Sequence, residues 1–251
     1  MARIGFLLLV LIYSPLPDAD EHPELRWCLD DHWHFYDKNT DPQGPTMMLM
    51  RTIAERVGFK LTHSEITPFS RCLRMMQSGD VDLMASLNYS DERNRYMHFI
   101  PYDKARPEVI YLLRESEDIN SWDDIQSKSV GVLKGYAYTS ELQQRLKEST
   151  LNLIETATLE EAFALLLFQD VDAIIGPAQS SANVIRHNPR LHDKFKPANY
   201  QFNFREARSI NFTFSRNSRH QELLPKLQQV VQKMVESGEV KQFRTEVSEV
   251  N

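Results

Sequence analysis

Three polar residues, Ser86, Asn88 and Arg93, are the part of this sequence best suited to binding chemistry. They lie at or just after the end of the segment at residues 81–87. There the apolar residues at 81, 83, 85 and 87 alternate with Asp82, Met84 and Ser86, and this alternation predicts a β-strand. In open α/β sheets small ligands bind outside the carboxyl ends of the strands, so the three side chains would lie at a ligand-binding edge. A hydroxyl, an amide and the forked guanidinium of an arginine together suit a carboxylate. The alternative interpretation is a solvated loop in which Arg93 pairs with a surface glutamate.

The elements that must position these residues are strands alternating with amphipathic helices, a pattern typical of an α/β fold. Gly58 and Gly79 are each predicted to end a helix, because glycine tolerates the left-handed cap conformation. Thr158 and Glu161 have the spacing of a capping box before an apolar helix. A long amphipathic helix is predicted from residue 223 to 234.

The length of 251 residues allows one or two domains with sizeable cores. Apolar residues make up 41% and charged residues 25%, an ordinary soluble globular composition. The formal net charge of −6 argues against a nucleic-acid partner, because a surface for nucleic acid needs clustered Lys and Arg. No nucleic-acid partner is therefore expected.

The N-terminus has the composition of a secretory signal peptide over residues 1–19. Arg3 precedes the apolar residues 4–12, and a proline-containing polar segment follows. We therefore expect export, with an uncleaved membrane anchor as the alternative. Export would place Cys28 and Cys72 in an oxidising compartment, where a pair of cysteines tends to be bridged. Two buried free thiols are the alternative for this pair.

The segment from Ser78 to Tyr102 resembles the signature of the family 3 bacterial extracellular solute-binding proteins, the periplasmic receptors for polar amino acids and related small molecules. The matching residues are, in order, Gly79, Asp82, Ser86, Asn88, Ser90, Glu92, Arg93, Phe99, Pro101 and Tyr102. Residues 25–33, 129–135 and 171–175 resemble further strands and loops of the same family. The likeness therefore covers nearly the whole mature chain.

The resemblance implies an α/β, two-lobed periplasmic-binding-protein-like fold of type 2, in which each lobe is a mixed sheet flanked by helices and the ligand binds in the cleft between the lobes. The first lobe would comprise residues 20–106 and 204–251, and the second lobe residues 107–203. Crossover segments would lie near residues 105–108 and 203–208, and hinge closure about them would bury the ligand.

In such a fold Arg93 would bind a ligand carboxylate with help from Ser86 and Asn88. Further ligand contacts are implied for Asp30, Trp33, Phe69, Arg71, Tyr136 and Ala137. Cys28 and Cys72 would lie on neighbouring elements, which favours the disulfide.

Several of these implied contacts have alternatives. Trp33 could pack on the edge of the lobe, Phe69 could be plain core, and Arg71 could face only a nearby carboxylate. Because the family usually has small hydroxyl residues after the glycine at position 135, the bulkier Tyr136 and Tyr138 predict a tighter or more aromatic pocket.

The sequence departs from the family pattern at residues 176–179. Amino-acid receptors of the family hold the ligand's α-ammonium with an aspartate just after the strand at 171–175, and no acid stands there in this chain. A buried ammonium without a carboxylate would be poorly compensated. The sequence therefore predicts a carboxylate-bearing ligand but does not specify an α-amino acid. His32 and His34 lie close to Asp30, yet no cluster has metal-ligand spacing, and neither a metal nor another cofactor is expected.

The function predicted from the residues and the resemblance is that of a non-catalytic, monomeric periplasmic receptor that passes a small solute to an ABC importer. A related alternative is a ligand-sensing protein that serves a membrane-bound signalling partner. The third possibility is an enzyme of this fold that resembles cyclohexadienyl dehydratase. The missing acid near Gly176 argues against the enzyme, which would need a proton donor in the cleft.

Overall fold

The computed structural model describes residues 22–30, 44–202 and 208–245. Residues 244 and 245 are described by their backbone alone. The predicted signal peptide, Trp33 and His32 lie outside these ranges. Within them, no helix is both long and apolar enough to cross a membrane.

The described chain alternates between ten strands and eight α-helices, as the sequence pattern predicts. The strands are β1 (Glu24–Trp27), β2 (Lys60–His63), β3 (Leu83–Asn88), β4 (Met97–Lys104), β5 (Glu108–Leu113), β6 (Ser129–Leu133), β7 (Asn152–Thr156), β8 (Ala173–Pro177), β9 (Phe195–Pro197) and β10 (Ser209–Ser215). The helices are α1 (Pro45–Val57), α2 (Phe69–Ser78), α3 (Asp91–Asn94), α4 (Ser140–Glu148), α5 (Leu159–Leu167), α6 (Ala178–His187), α7 (Leu224–Glu236) and α8 (Glu239–Thr245). Two short 3₁₀ helices lie at Asp123–Ile125 and Gln221–Leu223.

The strands form two five-stranded mixed sheets of the same topology. The first has the order β2-β1-β3-β10-β4 and the second the order β7-β6-β8-β5-β9. In each sheet the first three strands are parallel, and the fourth runs antiparallel to both of its neighbours. We call the first sheet with its helices the first lobe and the second sheet with its helices the second lobe. The fold is thus the two-lobed α/β architecture that was predicted.

The chain passes between the lobes twice. It leaves the first sheet after β4 and enters the second at β5, and it returns between β9 and β10. The two passages lie side by side, because the backbone N–H of Ala105 donates to the carbonyl oxygen of Arg208 at 2.9 Å. The boundaries of the lobes at residues 106, 107, 203 and 204 stay a prediction.

Local sequence signals set the ends of the helices near the site. Gly79 ends α2 with φ 82°, and Gly58 ends α1 with φ 84°, both in the left-handed conformation that was predicted. The Thr158 side chain accepts a hydrogen bond from the backbone N–H of Glu161 at 3.1 Å at the start of α5. The predicted C-terminal helix corresponds to α7.

Helices cover both faces of each sheet, so each lobe has two apolar layers. In the first lobe, one layer joins the sheet to α1 and α7, and the other joins it to α2. In the second lobe, one layer lies under α4 and the other under α5 and α6. Because β3 is buried on both faces, Met84 is as buried as Leu83, although simple alternation would place it on a polar face.

A β-bulge in β3 interrupts the alternation that was predicted for this strand. The partners of β3 on β10 change register, so that Ala85 and Ser86 together lie opposite Phe212. Ser86 has φ 63°, in the left-handed region. As a result Leu87 packs with Met84 in the layer under α2 and not with Leu83 on the other face.

Cys28 and Cys72 form a disulfide in the structure. The bridge joins the segment after β1 to α2, and both residues are buried, at 1% and 0% exposure. It therefore fixes the helix that begins with Phe69 against the carboxyl end of β1.

Candidate functional site

The candidate site lies where the carboxyl ends of the parallel strands of both sheets meet. Asn88 ends β3 in the first lobe, and Gly135 follows β6 in the second. Ligands of open α/β sheets bind at this end of the strands. Four side-chain hydrogen bonds from Asn88, Arg93 and Arg208, the residue before β10, reach the loop at residues 135–137, so the lobes contact each other at the site.

Arg93 lies at the centre of this contact and is 5% exposed. Its Nη1 donates to the carbonyl oxygen of Asn88 at 3.3 Å, and its Nη2 donates to the carbonyl oxygen of Gly135. The guanidinium carbon lies 5.3 Å from the centre of the Phe69 ring. Within the described part of the chain, no carboxylate lies within ion-pairing distance of Arg93, and burial lowers its pKa from the ordinary value.

Asn88 is the second polar side chain of the contact. Its Nδ2 donates to the hydroxyl oxygen of Tyr136 at 2.9 Å and to the carbonyl oxygen of Ala137 at 3.0 Å. Its Oδ1 is buried and has no hydrogen-bond partner among the described residues. The amide thus uses both donors on the second lobe and retains a free acceptor.

Ser86 is exposed at the bulge, because the left-handed backbone turns its side chain out of the strand's core faces. Its Oγ lies 3.0 Å from the Tyr102 hydroxyl, and either oxygen can donate. A non-glycine residue in this conformation is strained by about 1–3 kcal/mol, and such strain concentrates at functional sites.

Tyr136 supplies the aromatic side of the contact. Burial and the negative charge of Glu108 raise the pKa of its phenol to about 12, so the hydroxyl is neutral in the physiological range. Tyr138, by contrast, does not line the cleft: its hydroxyl accepts from the backbone N–H of Leu133 and donates to the carbonyl oxygen of Ile175. Tyr136 thus contacts the first lobe directly, whereas the Tyr138 hydroxyl bonds only to backbone groups of its own lobe, and the narrowing of the pocket by these tyrosines stays a prediction.

A buried ion pair between Glu108 and Arg208 lies beside this contact. Arg208 Nη2 lies 2.5 Å from Glu108 Oε1, and its Nη1 donates to the carbonyl oxygen of Ala137 at 3.0 Å. Glu108 Oε1 also accepts from the backbone N–H of Thr139, the N-cap of α4, at 3.2 Å. Glu108 and Arg208 stand at the two passages between the lobes, and the pair links them to the start of α4.

The remaining predicted residues take different positions. Asp30 is buried and forms an isolated parallel β-bridge with Thr67, in the segment that follows β1. Phe69 contacts Arg93, as described above. Arg71 is exposed and lines a surface groove of about 610 Å³, away from the contacts of Arg93. The other residues lining this groove are Arg26, Arg74, Met75, Ser78 and Asp80. Trp33 lies outside the described residues.

Three residues beside this contact were not predicted from the sequence: Glu108, Arg208 and Thr139. Glu108 and Arg208 did fall at the predicted crossovers, which was the one available signal. Their pairing depends on the register of β5 with β8 and on the neighbouring passages of the chain, and neither is visible in local spacing.

The two mixed sheets and the contact between their strand ends define the class of two-lobed periplasmic binding folds. Residues 25–246 match the profile of the bacterial extracellular solute-binding proteins, family 3. The chain therefore belongs to that family, in agreement with the resemblance seen in the sequence.

The chain is 22% identical over 210 residues to the probable amino-acid-binding protein YxeM of Bacillus subtilis, covering 83% of this chain and 76% of that protein. Its structure is similar to a histidine kinase sensor domain with similarity to periplasmic binding proteins, with a TM-score of 0.74, 22% identity and coverage of 90% and 96% of the two chains. An ancestral arginine-binding protein bound to arginine has a TM-score of 0.73, with 21% identity and coverage of 90% and 98%. At these identities the structural likeness establishes the fold.

Proposed function

We propose that the protein is a periplasmic receptor that captures a small, carboxylate-bearing, amino-acid-like solute between its lobes and passes it to an ABC importer. Membership of an extracellular solute-binding family supports the compartment and the general role. A relative named as a probable amino-acid-binding protein supports the class of solute.

The observation that carries the proposal is the environment of Arg93. A buried charge is costly unless it is paired. The described partners of this guanidinium are two backbone carbonyls and an aromatic ring. A ligand carboxylate would add the missing negative charge and would form bidentate, charge-assisted hydrogen bonds that a carbonyl cannot form.

The ligand-binding set that we propose is the one implied by the sequence, centred on Arg93. Ser86 and Asn88 would add donors from the first lobe, and Tyr136 and Ala137 would close on the ligand from the second. Phe69 would form the apolar wall against which Arg93 is held. The set also keeps Asp30 and Trp33, as predicted contacts with the distal end of the ligand, and Arg71 as a predicted ligand contact.

The proposed motion is a hinge closure of the lobe at residues 20–106 and 204–251 against the lobe at residues 107–203. The adjacent passages at Ala105 and Arg208 support it, because two short neighbouring segments are what a hinge requires. The direct bonds between the lobes at Asn88 and Arg93 support a closed arrangement in which both lobes share one site.

The test is a thermal-unfolding screen with amino acids, opines, peptides, polyamines and organic acids. A ligand that binds the native protein raises the melting temperature by mass action. We expect a carboxylate-bearing compound to raise that of the wild type, and the rise to vanish in Arg93→Met, which removes the charge but keeps an unbranched side chain against Phe69. The matched control is Arg95→Met, two residues along at an exposed position, which should keep the full rise.

Stabilisation by polyamines alone, or an undiminished rise in Arg93→Met, would contradict the proposal. The alternative of a sensor for a membrane partner has a specific support in the structural likeness to a histidine kinase sensor domain. It predicts the same ligand binding but no stimulation of uptake by an ABC importer. The dehydratase alternative predicts a product in the screen, which a receptor does not form.

A further inference from the structure

A buried carboxylate oxygen at the hinge end of the cleft points to a second ligand contact. Glu108 is 1% exposed, and its Oε1 accepts from Arg208 and from the backbone N–H of Thr139. Its Oε2 is also buried, and no described residue donates to it. A carboxylate can accept about four hydrogen bonds, so one half of this group has unused capacity.

A second unused acceptor belongs to Asn88, whose side chain contacts the same loop. Asn88 Oδ1 is buried without a partner in the described ranges, while Asn88 Nδ2 donates to Tyr136 and Ala137. Ala137 in turn accepts from Arg208, which holds Glu108. The side chains that carry the two free acceptors therefore both contact the loop at residues 136–139. Buried acceptors of this kind are costly unless a donor reaches them.

The position of Glu108 relates it to the departure found in the sequence. In the antiparallel pairing of β5 with β8, Glu108 lies directly opposite Pro177. Pro177 stands in the segment at residues 176–179 that lacks an acid. Side chains of directly opposed residues lie about 4.5–5.5 Å apart at Cβ. Strand β5 thus places the carboxylate of Glu108 beside Pro177, where β8 itself has no acidic residue.

We propose that Glu108 receives the ammonium group of a zwitterionic ligand whose carboxylate is bound by Arg93. The inference rests on the proposed function, since it assumes a carboxylate-bearing solute between the lobes. A carboxylate brings only acceptors, so the donors that Glu108 Oε2 and Asn88 Oδ1 need must come from another group of the ligand. A primary ammonium brings three donors and the charge that forms the stronger, charge-assisted bond.

This assignment answers the question that the sequence left open. The acid is present, but it comes from β5 and not from the segment after β8, so α-amino acids become the ligand class. Arg208 then acts as a positioning residue, because its bond to Oε1 and that of Thr139 leave Oε2 as the oxygen available to the ligand. The rise in the pKa of Tyr136, caused by burial and then by Glu108, is consistent with the carboxylate lying close to the loop.

The experiment is calorimetric titration of the wild type, Glu108→Gln and Arg208→Gln with the twenty L-amino acids. Each amino acid that binds is compared with its 2-hydroxy-acid analogue, which keeps the carboxylate and lacks the amine. We expect the wild type to bind at least one amino acid, and to bind the hydroxy acid at least about tenfold more weakly. Glu108→Gln should weaken amino-acid binding at least about tenfold and change hydroxy-acid binding little. Arg208→Gln should reduce the preference for the amine, but by less than Glu108→Gln does, because the carboxylate stays while its orientation is released. An undiminished preference would show that Arg208 does not position Glu108.

Three results would overturn the inference and leave the proposed function standing: equal affinity for the two analogues, an unchanged preference in Glu108→Gln, or binding of amine-free acids alone. Binding of no carboxylate, with no effect of Arg93→Met, would overturn both. If Glu108→Gln does not fold, Glu108→Asp replaces it, and a preference that survives with weaker amino-acid binding supports the role. Equal affinity of the wild type for the two analogues overturns the inference whatever the variants show, whereas the assignment to Glu108 in particular depends on the Glu108 variant.

Discussion

Asn88 and Tyr136 join the two lobes directly: Nδ2 of Asn88 donates a hydrogen bond of 2.9 Å to the Tyr136 hydroxyl. Asn88 ends β3 of the first sheet, and Tyr136 follows β6 of the second. The same amide also donates to the carbonyl oxygen of Ala137. If the protein is a hinged receptor, these bonds must break and re-form as the lobes open and close, so they contribute to the equilibrium between the two states.

The first prediction is that Asn88→Ala shifts the protein towards separated lobes. The substitution removes two bonds between the lobes, each of which contributes about 0.5–1.5 kcal/mol. We expect a larger radius of gyration in small-angle X-ray scattering than for the wild type. The control is Asn120→Ala, which removes a bond to Asn199 within the second lobe, on the surface. An increase in the control as large as in Asn88→Ala, or none in either, would show that Asn88 does not hold the lobes together.

The second prediction compares two glycines with the same backbone conformation. Gly79 has φ 82° and Gly238 has φ 77°, so alanine at either position is strained by about 1–2 kcal/mol. At Gly79 the added Cβ would also lie 2.6 Å from the carbonyl oxygen of Asn217, whereas at Gly238 it would meet nothing within 4 Å among the described residues. We expect Gly79→Ala to lower the free energy of unfolding by about 1–3 kcal/mol more than Gly238→Ala, as measured by urea denaturation. Equal losses would mean that the contact with Asn217 relaxes freely.

Local pattern was sufficient to predict the α/β class and the ends of α1 and α2, and it predicted the strand that ends at Asn88 shortly before Arg93. These features depend on residues close in sequence: glycine caps, apolar periodicity and a strand that runs into a polar loop. The face of Leu87 was predicted wrongly, because the bulge at Ser86 depends on pairing with β10, more than 120 residues later.

The dependence on pairing between distant strands also explains why Glu108 was not identified from the sequence. The absence of an acid at Pro177 was visible in the sequence, but Glu108 is related to Pro177 only through the register of β5 with β8. The family pattern, matched residue by residue, shows that the acid is missing after β8. It does not show that an acid on the neighbouring strand β5 takes its place, because strand register is set by the packing of the whole lobe.

The third prediction concerns the disulfide between Cys28 and Cys72, which are separated by 44 positions. Closing a loop of this length stabilises the fold by about 4 kcal/mol in the chain-entropy description. We expect Cys28→Ala/Cys72→Ala to lose about that much in denaturant unfolding, and the wild type to lose a similar amount under reducing conditions. Unreduced, denatured wild type should show no reactive thiols. Two reactive thiols, or equal stability with and without reductant, would contradict the bridge.

The fourth prediction is a pH dependence that comes from Tyr136. Burial and the charge of Glu108 raise the pKa of its phenol to about 12, whereas an unfolded tyrosine ionises near 10. Between these values the unfolded chain releases the proton and the folded chain keeps it, so stability falls as the pH rises, by up to about 1.4 kcal/mol per pH unit. Tyr136→Phe lacks this contribution. Urea unfolding of both proteins from pH 9 to 11 should therefore show a steeper decline in the wild type above pH 10, and parallel curves would show that the phenol titrates normally.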